Sequence, residues 1–423
     1  MFRPLHAGGA TLSSGREVWG IRTRTRRYLF FIATAVAAAI PNLASAQYSG
    51  VVLYAAQVPA GCQNSGSLTP TINDAAGGQL VGFDPLVPAT TDHALLWTAS
   101  NSTAVDLNPT NLSGYSASSL TGTNGSQQVG VASGTATSVY PHAMLWNGTA
   151  DSAVDLNPTN LNGFLSSYAN CTSGSQQAGY GYDSNDHGRQ HALLWNGAAN
   201  SAVDLNPANL PGFWSSIVYG MSSTQQVGWG ETTDMSPYYY HALLWSGNDY
   251  TVVDLNPTNL SGFTNSCAYG AGGGQQVGYG YGPATGGSYH ALLWSGRANT
   301  AVDLNPTNLT GFTTTFAYAT NGSQQVGYGE YSDYNDHAML WDGSGSTAVD
   351  LQTLLPSSGA WTSSQAFTID AGGDVFGYAD GTYDGYTGDF AIEWEMPEPA
   401  SLCFVAFGGL LLCRRVSTIE KRA

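Results

Sequence analysis

Short apolar segments recur along most of the chain at a nearly constant spacing. The clearest segment reads HALLW or HAMLW and begins at six histidines: His93, His142, His191, His241, His290 and His337. Successive copies start 49, 49, 50, 49 and 47 residues apart, and a degraded seventh copy occupies residues 390–394. Self-similarity at a fixed period is typical of repeat architectures. The remaining residues are therefore best interpreted by their position within the repeating unit.

Three further segments in each unit predict short strands. A glycine-containing segment precedes each copy, at residues 79–83, 127–131, 176–180, 225–229, 275–279, 324–328 and 374–378. A segment that alternates Val and Leu follows six copies, and it starts at Val105, Val154, Val203, Val253, Val302 and Val349. A looser segment with Gly-aromatic pairs completes the unit, which predicts four strands in each repeat of about 49 residues.

The HALLW strand is apolar on both of its faces. In the third copy, Leu193 and Trp195 point to one side of the strand. Ala192 and Leu194 point to the other side, so the sheet must be covered on both sides. Four-stranded repeats of this length are typical of β-propellers. We therefore predict an all-β, seven-bladed β-propeller over residues 47–395, with a β-solenoid or a pair of sandwiches as alternatives.

The seventh unit has no Val-Leu segment of its own. An apolar run at Gly50–Leu53 stands before the first complete unit, and no HALLW copy precedes it. We predict that this run supplies the last strand of the seventh blade by pairing with residues 390–394. Such pairing would remove the open sheet edge that an unclosed array exposes.

The amino-terminal region has the three parts of a secretory signal. Four arginines, Arg22, Arg24, Arg26 and Arg27, precede an apolar run over residues 28–40. Ala44 and Ala46 then form an A-x-A cleavage site, so we predict a signal peptide at residues 1–46 that is cleaved before Gln47. Its apolar run forms the signal helix, and a retained membrane helix is the alternative.

A second apolar segment lies near the carboxyl terminus. Pro397, Glu398 and Pro399 precede apolar residues 402–413, and Arg414 and Arg415 follow directly. Twelve apolar residues are fewer than the roughly 20 that span a bilayer, and flanking basic residues favour a cytoplasmic side. We predict a membrane-engaging tail over residues 396–423 that contains a short hydrophobic transmembrane helix, with a short core strand as the alternative.

This tail resembles the PEP-CTERM sorting signal of Gram-negative bacteria, over about residues 396–415. The resemblance implies a precursor tethered transiently in the inner membrane, which an exosortase-type transpeptidase processes near the Pro-Glu-Pro motif. It further implies export by the secretion machinery to the cell surface or extracellular matrix, often in species that make exopolysaccharide. Pro397, Glu398 and Pro399 are then recognition residues and not catalytic ones.

The repeat resembles the extracellular HAF repeat family. It departs from the family pattern in the residue after His-Ala, which is Leu or Met here in place of the usual Phe. The stretches that carry the resemblance are Ile72–Gly82 with His93–Trp97, and Gln324–Gly329 with His337–Trp341. The resemblance covers most of residues 50–394. It implies an extracellular repeat protein with no known enzyme activity.

Charge is distributed very unevenly along the chain. Residues 47–400 contain 27 Asp and Glu but only Arg189 and Arg297 as basic residues, which gives 2 − 27 = −25. Such an acidic body would repel nucleic acid and anionic lipid, so no nucleic-acid partner is expected. The negative charge could instead serve to keep the protein soluble or to bind cations weakly. Cys62, Cys171 and Cys267 have unrelated spacing and predict neither a disulfide framework nor a zinc site.

Histidine, tryptophan and aspartate recur at fixed offsets in six units. These structural repeat residues are His93, Trp97, Asp106, His142, Trp146, Asp155, His191, Trp195, Asp204, His241, Trp245, Asp254, His290, Trp294, Asp303, His337, Trp341 and Asp350. A catalytic group is needed once, whereas a group present in every blade is more simply a local bond from His to a carbonyl or to the neighbouring Asp. We predict no catalytic residue, no metal site and no cofactor.

The loops that precede each HALLW segment vary most between units. Aromatic rings can stack on sugar rings while carboxylates bond sugar hydroxyls, so these loops are candidates for contact with a glycan. The candidate residues are Tyr182, Asp183, Asp186, Tyr239, Tyr240, Tyr331, Asp333 and Tyr334. We predict a surface-delivered, non-enzymatic protein for adhesion or association with exopolysaccharide in a biofilm matrix. The alternatives are a carbohydrate-active propeller enzyme (a glycosidase or lyase), a purely structural matrix component, and loops that are merely solvated.

Overall fold

Seven four-stranded antiparallel sheets account for the described part of the chain. The structure is a computed structural model, and it describes residues 48–57, 70–84, 92–98, 101–233, 239–247 and 249–396. In six of the sheets the strands follow sequence order, and in the seventh the first strand of the chain joins the last three. We call these sheets blades 1 to 7, and we count the strands within each blade from the central channel outward.

The strands of blades 1 to 3 follow one another along the chain. Blade 1 consists of β2 (Thr71–Ala76), β3 (Gln79–Asp84), β4 (His93–Thr98) and β5 (Asn101–Asp106). Blade 2 consists of β6 (Ala117–Thr123), β7 (Gln128–Ser133), β8 (His142–Trp146) and β9 (Val154–Asp155). Blade 3 consists of β10 (Phe164–Thr172), β11 (Gln177–Asp183), β12 (Arg189–Trp195) and β13 (Val203–Asp204).

Blades 4 to 6 repeat that order, and blade 7 combines both ends of the propeller. Blade 4 consists of β14 (Phe213–Met221), β15 (Gln225–Thr232), β16 (Tyr240–Ser246) and β17 (Thr251–Asp254). Blade 5 consists of β18 (Asn265–Gly272), β19 (Gln275–Tyr281), β20 (His290–Trp294) and β21 (Val302–Asp303). Blade 6 consists of β22 (Phe312–Thr320), β23 (Gln325–Tyr331), β24 (Asp336–Trp341) and β25 (Val349–Asp350). Blade 7 consists of β26 (Ala360–Ile369), β27 (Val375–Tyr383), β28 (Tyr386–Glu395) and β1 (Ser49–Ala55).

Helical structure in the described residues is limited to short 3-10 turns in the connections. These turns are Thr135–Thr137, Ala150–Ser152, Ser184–Asp186, Ala199–Ser201, Pro283–Thr285, Ala298–Thr300, Gly345–Thr347 and Leu351–Leu354. The all-β prediction is therefore confirmed for the body of the chain.

The HALLW segment forms the third strand of blades 1 to 6 and is covered on both faces, as its pattern predicts. Leu193 and Trp195 pack with Leu156, which precedes blade 3. Ala192 and Leu194 pack with a cluster that includes residues of blade 4. The seven third-strand tryptophans are all completely buried: Trp97, Trp146, Trp195, Trp245, Trp294, Trp341 and Trp394. Burial between neighbouring blades therefore explains why this segment is the best preserved part of the repeat.

The glycine of the second strand is required by close approach of the first strand. Gly179 pairs with Ala169 on one side and with Leu193 on the other. A Cβ atom at Gly179 would collide with the carbonyl oxygen of Tyr168. The glycine-containing segment therefore marks the place where two backbones of a blade approach most closely.

Strand β1 completes blade 7 as its outermost strand. Val51 pairs with Glu393 and Val52 pairs with Ile392, both in antiparallel register. Val52 packs into the core of blade 7, whereas Tyr54 is buried in the cluster that joins blade 7 to blade 1. The predicted closure of the ring by the amino-terminal strand is thus confirmed, and with it the seven-bladed architecture.

The two predicted terminal segments lie outside the described residues. They comprise the signal peptide with its cleavage site at Ala44, Ala46 and Gln47, and the tail with Pro397, Glu398, Pro399, Arg414 and Arg415. Their helices stay predictions from the sequence. Among the residues that the structure describes, no helix is long and apolar enough to cross a membrane.

Candidate functional site

The histidine that begins each HALLW or HAMLW segment is hydrogen-bonded to the aspartate 13 residues later. The Nδ1–Oδ2 distance is 2.7 Å in His93–Asp106, 2.8 Å in His142–Asp155 and His241–Asp254, and 2.9 Å in His191–Asp204, His290–Asp303 and His337–Asp350. The bond links the third strand of a blade to the fourth. The predicted bond between His and the neighbouring Asp is therefore present in all six complete repeats.

The aspartate of each pair also belongs to a hydrogen-bond network that reaches the next blade through a serine or threonine side chain, or through Gln352 and Ser364 after blade 6. In blade 3, the second oxygen of Asp204 accepts from the backbone N–H of Asn206 at 2.8 Å. The hydroxyl of Ser216 in blade 4 donates to Asn206 Oδ1 at 2.8 Å and accepts from the Ala192 N–H at 3.1 Å. This network ties two blades together. In the described residues, no group of three or more His, Cys, Asp and Glu side chains could hold a metal ion.

Exposed tyrosines gather on one face of the propeller. In every blade the second strand ends and the third strand begins at the same face of the propeller, which we call the hairpin face. Five consecutive blades each present one exposed tyrosine there. They are Tyr140 in blade 2 (51% exposed), Tyr182 in blade 3 (37%), Tyr240 in blade 4 (37%), Tyr289 in blade 5 (38%) and Tyr334 in blade 6 (85%). The face thus carries a row of aromatic rings in contact with water.

Three of these tyrosines rest on further aromatic side chains. Tyr182 packs edge-on against Tyr180, with 5.8 Å between ring centroids. Tyr240 packs in the same way against Trp229 at 4.9 Å. Tyr289 contacts the rings of Tyr279 at 5.1 Å, Tyr281 at 5.0 Å and Phe316 at 5.3 Å. Such support holds the exposed rings in defined positions, which lowers the entropy cost of binding a ligand.

Of the five exposed tyrosines, the sequence predicted Tyr182, Tyr240 and Tyr334 but not Tyr140 or Tyr289, and it did not predict the supporting rings. Tyr180, Trp229 and Tyr279 occupy the same position of the second strand, directly after its close-packed glycine. The signal that could have found them is the Gly-aromatic-Gly pattern. It occurs in units 3 to 6, and units 1 and 2 have Gly-Phe-Asp and Gly-Val-Ala instead.

Two of the predicted carboxylates shape their own loop. Asp183 Oδ1 accepts from the backbone N–H of Asn185 at 2.8 Å, which caps a short 3-10 turn. Asp186 forms ion pairs with Arg189 at 3.0 Å and with His191 at 3.2 Å. Both groups therefore stabilise the hairpin of blade 3 and are not free carboxylates above the face.

Of the candidate glycan-contacting residues in blade 6, two form contacts within the protein and one is exposed. Tyr331 stacks on His337, with centroids 4.8 Å apart and planes inclined by 11°. Asp333 accepts from the backbone N–H of Asn335 at 3.1 Å, within the same loop. Tyr334 stands free at the tip of the turn with a φ of 67°. The remaining candidate, Tyr239 of blade 4, is partly buried, and its carbonyl accepts from Thr232 N at 3.0 Å.

The first strands of the seven blades line a central channel with a cavity of about 820 Å³. A β-bulge interrupts every first strand at the same position. The bulged residues are Asn73, Thr121, Asn170, Tyr219, Tyr269, Tyr318 and Phe367 in blades 1 to 7. One arc of the channel is therefore polar and the other is aromatic.

The two arcs are held together by different contacts. Asn73, Thr121 and Asn170 each donate to a backbone carbonyl of the following blade, the first at 2.6 Å to Leu120 and the third at 2.7 Å to Val218. On the aromatic arc, the ring centroids of Tyr219 and Tyr269 are 5.1 Å apart, and those of Tyr269 and Tyr318 are 5.2 Å apart. No repeat pattern predicts this ring of residues, because the first strand is the least regular segment of the unit.

Several ionisable groups have displaced pKa values. Burial raises the pKa of Asp74 in the channel wall from 3.8 to about 7, although bonds from Thr123 N and Ala75 N oppose the change. Burial, with a smaller effect from Asp380, raises the pKa of Asp389 to about 6. The hydrogen bond to Asp106 raises the pKa of His93 above its usual 6.5.

These shifts predict a protein that is more stable in mild acid than in mild base. As the pH rises from about 4 to 7, the unfolded chain loses protons that folded Asp74 and Asp389 retain, so stability falls. The contribution of the His93 pair is complete below pH 6.5 and is lost as the pH rises through the raised pKa of His93. After allowance for screening by channel water, about 2 kcal/mol remains, so we expect melting roughly 3 °C higher at pH 5 than at pH 8.

Calorimetry at the two pH values checks this expectation. Asp74→Asn should reduce the difference in melting temperature, whereas Asp151→Asn, in an exposed turn of blade 2, should leave it unchanged. An equal difference in the wild type and Asp74→Asn would contradict the assignment to Asp74.

Seven four-stranded sheets around one channel define the class of this protein, which is a seven-bladed β-propeller. No protein-family model matches the chain, and no curated protein matches it. Among solved structures, it is similar to the β-propeller domain of the Trilobed protease from Pyrococcus furiosus, with 9% identity and a TM-score of 0.48 over 78% of this chain and 100% of that one.

Two other similar structures have different activities. TolB from Acinetobacter baumannii shows 12% identity and a TM-score of 0.37, over 83% of this chain and 98% of that one. The Trypanosoma rangeli sialidase in complex with sialic acid shows 11% identity and a TM-score of 0.35, over 79% of this chain and 55% of that one. A protease, TolB and a sialidase share no common activity, so the comparisons favour no function.

Proposed function

We propose that this protein is an exported, non-enzymatic propeller that binds polysaccharide through its hairpin face, in adhesion or in association with an exopolysaccharide or biofilm matrix. The observation that carries the proposal is the row of one exposed tyrosine in each of blades 2 to 6. A repeating polymer presents equivalent sugar units at intervals, and a repeated scaffold presents equivalent rings at intervals. Several weak contacts of this kind add up to high avidity.

The chemistry of the face suits uncharged or cationic sugars. A tyrosine ring covers the apolar side of a pyranose, and its hydroxyl bonds to the sugar's hydroxyl groups. The propeller body carries a net charge of −25 by the count above, which disfavours an acidic polymer. Tyr182, Tyr240 and Tyr289 are the strongest contact candidates, because other rings hold each of them in place.

A non-enzymatic role agrees with how the carboxylates of blade 3 are used. Hydrolysis of a glycosidic bond needs two carboxyl groups in separate roles, one to donate a proton and one to attack or to activate water. Asp183 and Asp186 are instead occupied by a backbone N–H and by Arg189 and His191. In blade 3 the exposed ring of Tyr182 therefore provides a stacking surface, while Asp183 and Asp186 stabilise the turn.

Delivery to the cell surface is inferred from the sequence of the two termini. The signal-like residues 1–46 support export by the secretion machinery, and the tail supports a transient tether in the inner membrane. The Pro-Glu-Pro motif at residues 397–399 supports processing by an exosortase-type transpeptidase. After processing, the propeller would be released to the cell surface or the extracellular matrix.

Replacing Tyr182, Tyr240 and Tyr289 together by alanine should weaken binding of the purified protein on a glycan array. Each stacked ring is expected to contribute about 1 kcal/mol, so the triple variant should bind roughly 100-fold more weakly. The matched control is Val203→Ala with Val302→Ala, which removes exposed apolar side chains from the outer strands of blades 3 and 5.

Three outcomes would count against the proposal. Absence of binding to every glycan, with and without calcium, would remove the polysaccharide ligand and favour a purely structural matrix component. Equal binding by the triple variant and the wild type would move the site away from the hairpin face. Release of shortened products from a bound polymer would identify a carbohydrate-active enzyme.

A further inference from the structure

The cavity in the central channel opens away from the hairpin face. Its wall includes Gly77, Asn124 and Asp370, which lie at or beside the turns between first and second strands. Those turns stand at the opposite end of the first strands from the hairpin face. A ligand in this cavity would therefore occupy a site separate from the row of exposed tyrosines.

The wall of the cavity is divided by chemistry. Blades 4 to 7 contribute an aromatic arc of Tyr219, Tyr269, Tyr318 and Phe367, and the carboxylate of this side, Asp370, lies at the turn after the first strand of blade 7. Blades 1 to 3 contribute a polar arc with hydroxyl and amide side chains. A volume of about 820 Å³ is within the range of sites for small organic molecules. The division favours a ligand with one polar end and one apolar end.

The polar arc contains one carboxylate that faces the cavity from the middle of a first strand. Asp74 Oδ1 accepts from Ala75 N at 2.8 Å and Oδ2 accepts from Thr123 N at 2.9 Å, and each carboxylate oxygen can accept a second bond. The equivalent positions in the other blades are small or uncharged: Gly122, Cys171, Gly220, Gly270, Ala319 and Thr368. Asp74 thus breaks the repeat at one point of the channel.

The electrostatics of the cavity favour a positively charged ligand. Burial raises the pKa of Asp74 to about 7, and only two backbone N–H groups, with no cation, oppose that change. Among the described residues, the channel wall contains no Lys, Arg or His. The two arginines of the body lie elsewhere, Arg189 in an ion pair on β12 and Arg297 beside an outer turn of blade 5. A cation would supply the charge that the protein does not.

We propose that the channel binds a compact organic cation, whose ammonium group pairs with Asp74 and whose apolar body lies against Tyr219, Tyr269 and Tyr318. The aromatic rings attract a cation through their electron-rich faces and cover the apolar part of the ligand. This site does not depend on the polysaccharide proposal, because it uses other residues and the opposite mouth of the propeller.

Isothermal calorimetry with cyclohexylammonium and its uncharged counterpart cyclohexanol tests the site in the purified protein. The two probes share the apolar ring and differ in charge, so cyclohexylammonium should bind at least about tenfold more tightly at constant ionic strength. Asp74→Asn should reduce that preference at least several-fold, leaving only the smaller attraction to Asp370 at the mouth of the channel, and Tyr269→Leu should weaken binding of both probes. Asp151→Asn makes the same change of charge in a remote turn and should bind both probes like the wild type.

The result is decisive even if a channel variant folds poorly, because the comparison of the two probes uses the wild type alone. Equal affinity for the charged and uncharged probes would overturn the proposal in favour of a neutral ligand. Failure of cyclohexylammonium to saturate at millimolar concentration would overturn it as well. So would an unchanged preference in a folded Asp74→Asn variant.

Discussion

Deleting Val51–Tyr54 should lower the melting temperature of the whole propeller by about 7 °C. The deletion removes Val52 from the core of blade 7 and Tyr54 from the cluster between blades 7 and 1. Tyr54 is buried and Val52 and Leu53 are partly buried, so their loss costs about 5 kcal/mol, near the lower end of the usual 1.5–3 kcal/mol per large apolar side chain. Because a single ring shares its blade interfaces, the unfolding should stay one cooperative transition at the lower temperature.

A circular permutant separates the loss of closure from the loss of chain. Residues 48–57 are moved to follow Met396 through a flexible linker, so that the outer strand is again available to β28. Thermal melts followed by circular dichroism should then recover most of the lost stability. A deletion variant that melts like the wild type would show that β1 does not stabilise the ring.

Replacing Trp245 by alanine should destabilise the protein by about 4 kcal/mol, the usual cost of truncating a buried tryptophan. The side chain is completely buried between blades, and its Nε1 donates to the carbonyl oxygen of Leu205 at 2.8 Å. The variant therefore leaves a cavity and a buried carbonyl without its partner. Chemical denaturation checks the change in unfolding free energy.

The matched control is a tryptophan of the same blade that is only partly buried. Trp214 lies at the start of β14 under the guanidinium of Arg189, which is 4.6 Å from the ring centroid. Trp214→Ala should cost less than about 1 kcal/mol, since this contact is near the surface. Equal costs at the two positions would contradict the view that burial between blades stabilises the fold.

The sequence predicted the blades well because burial on both faces leaves a strong pattern. The residues equivalent to His191 and Asp204 form the same bond in six units, and those equivalent to Trp195 are buried in all seven, so their contacts can be inferred from the spacing. The closure by Val51 and Val52 could be inferred for a related reason. The seventh unit has no Val-Leu segment, and the apolar run that contains Val51 and Val52 belongs to no other unit.

The candidate sites were harder to predict because they depend on what differs between units. Tyr182 and Tyr240 could be chosen as exposed aromatic residues, but nothing in the sequence distinguishes them from Tyr331, which stacks on His337. Asp186 resembles a free carboxylate until the fold brings Arg189 and His191 to it. Asp74 and the aromatic arc of the channel meet only when the ring closes, so no local pattern indicates them.

Blade 7 also decides which way the molecule faces when it is held by its tail. Ser49 lies opposite Glu395, so the two ends of the propeller leave the same blade side by side. The third strand of a blade starts at the hairpin face and runs away from it, so Met396, the last described residue, lies at the opposite side. If the predicted tail tethers the protein, the tether attaches on the side of the channel mouth, and the exposed tyrosines lie on the side of the propeller that is farther from the membrane.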